Sequence, residues 1–144
     1  MIPGFFELGQ PQPRVAVRIS LPGAEVETEP VAFIVDTGSV HSCIHPIDAS
    51  LRLKIPKSRL RDRSQWTASI GATGVGGPVR YFVEPATLTF ANDDGVPEVI
   101  TTDIWIAEMT LANQRLPSLL GWDVLRYFRL VTDGVTVTLD RLAG

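Results

Sequence analysis

Cysteine is almost missing from this chain. Cys43 stands alone, so no internal disulfide can form, and a reducing, cytoplasmic setting is the expectation. Histidine is nearly as scarce, with only His41 and His45, which leaves few soft ligands for a metal centre. Long apolar runs are missing too: the apolar stretches are about five residues long, against the roughly 20 needed to cross a bilayer as a helix. The first residues, Met1 to Leu8, have neither a basic start nor a sufficient apolar stretch, so no export signal is expected there. A basic surplus is also lacking. The net charge of −3 argues against a nucleic-acid partner.

What is present is the composition of an ordinary globule, 44% hydrophobic and 20% charged. The 144 residues suffice for one domain, residues 1–144, that buries a core without covalent staples. Residues 14–20 alternate, with Val15, Val17 and Ile19 on one face, and predict a half-buried strand. Pro22 and Gly23 then turn the chain into a second apolar run, 31–35. Pro46 suits the first turn of a short helix over 46–53. Two strand-like runs, 64–70 and 78–83, flank a loop with four glycines and predict a hairpin with a flexible tip. Residues 86–90 and 99–106 predict strands on either side of a turn at 92–95, and 129–139 predicts a hairpin on Asp133-Gly134.

The most informative stretch is Val31 to Ser39. A short run rich in β-branched and aromatic residues leads straight into Asp36-Thr37-Gly38-Ser39, on the second or third strand of a meander. A carboxylate at the end of a buried strand must be hydrogen-bonded, paired or protonated, because an isolated buried charge costs too much. Thr37 and Ser39 bring hydroxyls beside it, and Gly38 allows its own N–H to reach the acid.

Three other patterns compete for a function. Residues 52–63 hold Arg52, Lys54, Lys57, Arg59, Arg61 and Arg63 against Asp62 alone, which reads as a patch for phosphate or nucleic acid or, more simply, as a solvated basic face. The glycine-rich loop lacks a following Lys-Ser or Lys-Thr pair and runs into a strand, so a phosphate cradle is disfavoured. His41, Cys43 and His45 alternate, so a strand would present all three on one face as zinc ligands, though three such neighbours make an awkward tetrahedral set. Trp66, Tyr81, Phe82, Trp105 and Tyr127 are candidates to line subsites, with core packing the main assignment for most of them.

Asp36-Thr37-Gly38-Ser39, the glycine-rich hairpin about forty residues later and Leu119-Leu120-Gly121 ahead of a short helix stand in the order found in retropepsins. Over roughly residues 14–140 the chain resembles the cellular and bacterial members of that aspartic protease superfamily. The resemblance implies an all-β, closed barrel-like domain with one or two short helices and a flap hairpin. It implies an aspartic endopeptidase with Asp36 as the catalytic group, supported by Thr37, Gly38 and Ser39. Gly74, Val75, Gly76 and Gly77 would form the flap tip over an extended polypeptide substrate. Leu119, Leu120 and Gly121 would cross behind the catalytic loop as structural parts. No cofactor, metal or membrane segment is implied.

Aspartic proteolysis needs two carboxyls sharing one proton. Asp133-Gly134 and Asp94-Gly95 lack the intervening hydroxyl residue, so the chain has one copy of the motif, and a homodimer is expected to supply the second Asp36. Three features depart from the viral pattern. Trp122 replaces the usual arginine, and Val40 its acidic partner. Ser39 replaces the usual alanine. A donation from its hydroxyl to Asp36 would favour the charged acid and move activity toward low pH. A domain that keeps the fold and binds peptides without cleaving them is the alternative.

Overall fold

The computed structural model describes residues 1–22, 28–74 and 77–143. Its strands in chain order are β1 (Ile2–Pro3), β2 (Phe5–Phe6), β3 (Pro13–Ser20), β4 (Val31–Val35), β5 (Cys43–Ile44), β6 (Ser69–Gly74), β7 (Gly77–Phe90), β8 (Glu98–Ala107), β9 (Leu119–Leu120), β10 (Phe128–Thr132) and β11 (Val137–Arg141). Between them lie the short helices α1 (Pro46–Leu51), α2 (Lys57–Leu60) and α3 (Trp122–Leu125).

The alternation of β3 folds as its sequence dictates. Val15, Val17 and Ile19 are fully buried, while Ala16, Arg18 and Ser20 face out. One part of β3 pairs with β4 and the rest with β7, which closes the ring β3-β4-β9-β5-β8-β7 into a six-strand barrel. Closure removes the exposed edges that these strands would otherwise present. β6 extends the sheet beyond β7, and β1, β11 and β10 form a separate three-stranded sheet. The core inside is led by Phe33, Phe82 and Phe90, packed with Ile104, Ile106 and Leu120. Burying each such side chain contributes about 1.5–3 kcal/mol.

Several expectations are corrected in detail. Asp36 follows the fourth strand rather than the second or third, because two two-residue strands precede β3. Residues 78–83 and 86–90 belong to one strand, β7, which runs straight through Pro85. Proline is tolerated there because it falls between the β6 pairing, which reaches Phe82, and the β3 pairing, which begins at Thr87. The helix after Pro46 stops at Leu51, and Leu53 turns into the core instead. Residues 64–70 are a strand only from Ser69 onward. Before it, Arg63–Gln65 form a 3-10 turn, and Trp66 stacks on Phe82 at 4.5 Å with its indole N–H donating to the Arg59 carbonyl at 2.9 Å.

The basic run behaves as a solvated face. Arg52 and Lys54 share Glu29, at 2.8 and 3.5 Å, Arg63 pairs with Glu108 at 2.7 Å, and Arg59 lies over Trp66. Among the described residues no helix is long and apolar enough to cross a membrane.

Candidate active site

The site begins with a topological detour. β9 lies between β4 and β5, parallel to the former (Ile34↔Leu119, Val35↔Leu120) and antiparallel to the latter (Cys43↔Leu119). The chain leaving β4 therefore cannot pair directly with β5 and must loop around β9, and residues 36–42 are that loop. Leu119 and Leu120 thus lie between β4 and β5, and the loop passes around them. The Asp36 N–H donates to the Leu120 carbonyl at 3.0 Å, so the first residue of the loop is still anchored to the sheet.

Asp36 is half-buried, and its Oδ1 accepts the Gly38 N–H at 2.9 Å. The neighbouring hydroxyls do something else. Thr37 is exposed, and its carbonyl accepts the Trp122 indole N–H at 2.6 Å. The Ser39 hydroxyl donates to the His41 carbonyl at 2.7 Å, and not to Asp36. Ser39 therefore braces the loop internally, and the expected donation from its hydroxyl to Asp36 is not made.

The first turn of α3 closes the loop from behind. The backbone N–H groups of Trp122 and Asp123, free at a helix start, donate to the carbonyls of Ser39 at 2.9 Å and Val40 at 3.0 Å. Asp123 lies in the first turn of α3, where a negative charge suits the helix start on local grounds. In the structure its carboxylate instead accepts the backbone N–H of Ser42 at 2.9 Å and its hydroxyl at 2.6 Å. The Ser42 oxygen then accepts the Gly121 N–H at 2.9 Å. Gly121 itself has no room for a side chain: a Cβ would lie 2.7 Å from the Ser39 carbonyl oxygen and 2.9 Å from that of His41. Val40 is 67% exposed and Trp122 46% exposed, so both offer apolar surface on the loop and the helix behind it.

In front of the loop lies a cleft of about 390 Å³. Asp36 and Ser39 line it together with Ala72 and Thr73 of β6 and Tyr81 of β7, so the hairpin borders the cleft. Gly74 pairs with Gly77 at the end of the ladder, whereas Val75 and Gly76 lie outside the described residues. Sequence reasoning gave Tyr81 and Trp105 chiefly to the core. Here they wall the cleft at a ring separation of 5.1 Å, and His41 stacks on Trp105 at 4.0 Å.

His41, Cys43 and His45 do not converge as ligands. The strand they were expected to share is only Cys43–Ile44, and His41 is exposed and stacked. Burial pushes the Cys43 thiol up to about 12, which keeps it protonated, and pushes His45 down, toward the neutral imidazole. His45 Nδ1 lies 2.5 Å from the Pro117 carbonyl, whose oxygen can only accept, so that nitrogen carries the proton. Among the described residues no group of three His, Cys, Asp or Glu side chains is placed to hold a metal ion. Compared with protein-family models and with curated proteins, the chain finds no match in either.

Proposed function

We propose that the protein is an aspartic endopeptidase acting as a homodimer, with one Asp36 from each copy forming the acid pair. The observation that carries this reading is a half-exposed carboxylate lining a cleft that the hairpin borders, on a loop braced from behind by α3. The Gly38 N–H orients one carboxylate oxygen and leaves the other free for water or for the partner's acid.

In this reading two like charges a few ångströms apart cannot both ionise readily, so the pair holds one proton. The ionised carboxyl takes a proton from water as its oxygen attacks the scissile carbonyl carbon. The protonated carboxyl donates to the carbonyl oxygen, which gives a neutral gem-diol. Return of a proton to the leaving nitrogen breaks the C–N bond and restores the pair. The substrate is an extended polypeptide bordered by the β6–β7 hairpin and the Trp105 wall.

The test is cleavage of an unfolded protein across a pH series by the wild type and by Asp36→Asn. The amide oxygen of the asparagine can still accept the Gly38 N–H, so the fold stays and turnover falls at least about a hundredfold. Equal turnover by both proteins would remove Asp36 from the chemistry. Turnover per chain should also fall on dilution below the dimer's dissociation constant; a rate per chain independent of concentration would count against the shared pair. Saturable peptide binding with no cleavage at any pH would assign the chain to the non-catalytic alternative.

A further inference from the structure

On another face, β4, α1 and the segment before β9 enclose a pocket of about 460 Å³. Its apolar walls come from Ala32, Ile34, Ile47 and Leu116. Into this setting the chain places Arg14, which is 14% exposed and whose Nε is buried with no hydrogen-bond acceptor among the described residues. Its ion pair is with Glu7, at 3.7 Å, too long for a hydrogen bond. A guanidinium has five donors and stays charged, so a largely buried one needs acceptors. Of the other charges on the pocket, Arg52 holds Glu29 at 2.8 Å, and Asp48 accepts the Ser118 hydroxyl at 2.6 Å. Arg115 stands exposed on the rim.

We propose that this pocket binds a monocarboxylate carrying an apolar group, as a peptide's C-terminal residue does. The planar fork of Arg14 takes the carboxylate, and the apolar group lies against Ile34, Ile47 and Leu116. A phosphate dianion fits less well, because the carboxylates of Glu7 and Asp48 on the same walls oppose a second negative charge. The proposal does not depend on Asp36 or on any turnover.

The experiment titrates N-acetyl-leucine, its amide, a blocked glutamate diamide and inorganic phosphate into the isotope-labelled full chain and follows the backbone amides. N-acetyl-leucine should saturate with shifts at residues 14, 34, 47 and 116, and the amide should bind at least tenfold more weakly. Arg14→Gln should weaken the acid at least tenfold, and Arg115→Gln, on the exposed rim, should weaken it less while leaving the rest of the spectrum unchanged. The glutamate diamide, a side-chain carboxylate without the apolar group, should bind more weakly than N-acetyl-leucine. Equal binding of acid and amide, phosphate binding as tight as the acid, or shifts confined to the Asp36 cleft would each overturn the proposal. Should Arg14→Gln fail to fold, the acid–amide comparison and Arg115→Gln decide it.

Discussion

The loop that carries Asp36 and the hairpin that borders the same cleft are held by different means. The loop spends its polar groups inward: the carbonyls of Thr37, Ser39 and Val40 all accept from Trp122 or Asp123, and Ser42 joins Asp123 to Gly121. The hairpin rests on one ladder, β6 against β7, with Ile70, Gly71 and Thr73 exposed along the outer strand. Its added brace is Arg80, which donates to the Ser69 hydroxyl at 3.3 Å. Asp36 thus sits on the over-determined part, and the hairpin, which under the proposed function would admit a polypeptide, sits on the part held by fewer contacts. Disturbing the first should therefore unfold the protein, whereas disturbing the second should alter peptide handling in a folded one.

Gly121→Ala makes the sharpest test. The added methyl meets backbone atoms of Ser39 and His41, which cannot rotate away, so the loop must shift. A loss of about 3 kcal/mol is expected in urea unfolding, and a loss under half that would mean that the base is softer than its contacts imply. Ser42→Ala comes next. Ser42 is fully buried, and removing its hydroxyl leaves the Gly121 N–H without an acceptor and Asp123 with one fewer donor. The expected cost is about 2 kcal/mol, as for an orphaned buried polar group. A neutral substitution would show that this knot does not hold the loop.

The Ser42–Asp123 contact also marks where the sequence stops being legible. The partners are 81 positions apart, and nothing in either local pattern announces the other. Asp123 beside a helix start has a sufficient local explanation, and the tertiary contact overrides it. By contrast, the alternation at Val15, Val17 and Ile19 and the turn at Asp133-Gly134 were readable because their causes lie within a few residues. Asp36 was readable as a special carboxylate for the same reason: its buried strand, its glycine and its hydroxyl neighbours adjoin it. What those hydroxyls bond was not, since Ser39 chose the His41 carbonyl over the nearer-seeming acid. Trp66 misled in the other direction, for a β-prone run was interrupted by the pull of Phe82 on a large aromatic side chain.

On the hairpin side, Gly77→Ala is the matching substitution. Gly77 has φ +101°, a conformation that L side chains rarely adopt, although the space around it is open. Strain of about 1 kcal/mol is expected, confined to the ladder end where Gly77 pairs with Gly74. The unfolding midpoint should move little while KM for a polypeptide substrate rises more than kcat falls. A stability loss as large as that of Gly121→Ala would erase the contrast between the two regions.

The smallest effect should come from acid, and it should strike the base. His45 is buried there, its backbone N–H donating to Ser118, whose hydroxyl donates in turn to Asp48. Burial pushes its pKa below the ordinary value, against the opposing pull of the Pro117 carbonyl and Asp48. The unfolded chain, with an ordinary imidazole near 6.5, then holds more protons than the folded one wherever the pH lies between the two values. Stability must rise with pH across that window, be complete above about 6.5, and decline as pH falls below it. Urea midpoints measured from pH 7.5 downward should therefore drop in the wild type and drop less in His45→Gln, whose amide can still donate to the Pro117 carbonyl. Parallel curves for the two proteins would show that His45 does not titrate with folding. If the curves diverge as expected, this histidine behind the Asp36 loop sets a lower pH limit on the folded state, and with it on any activity the proposed function requires.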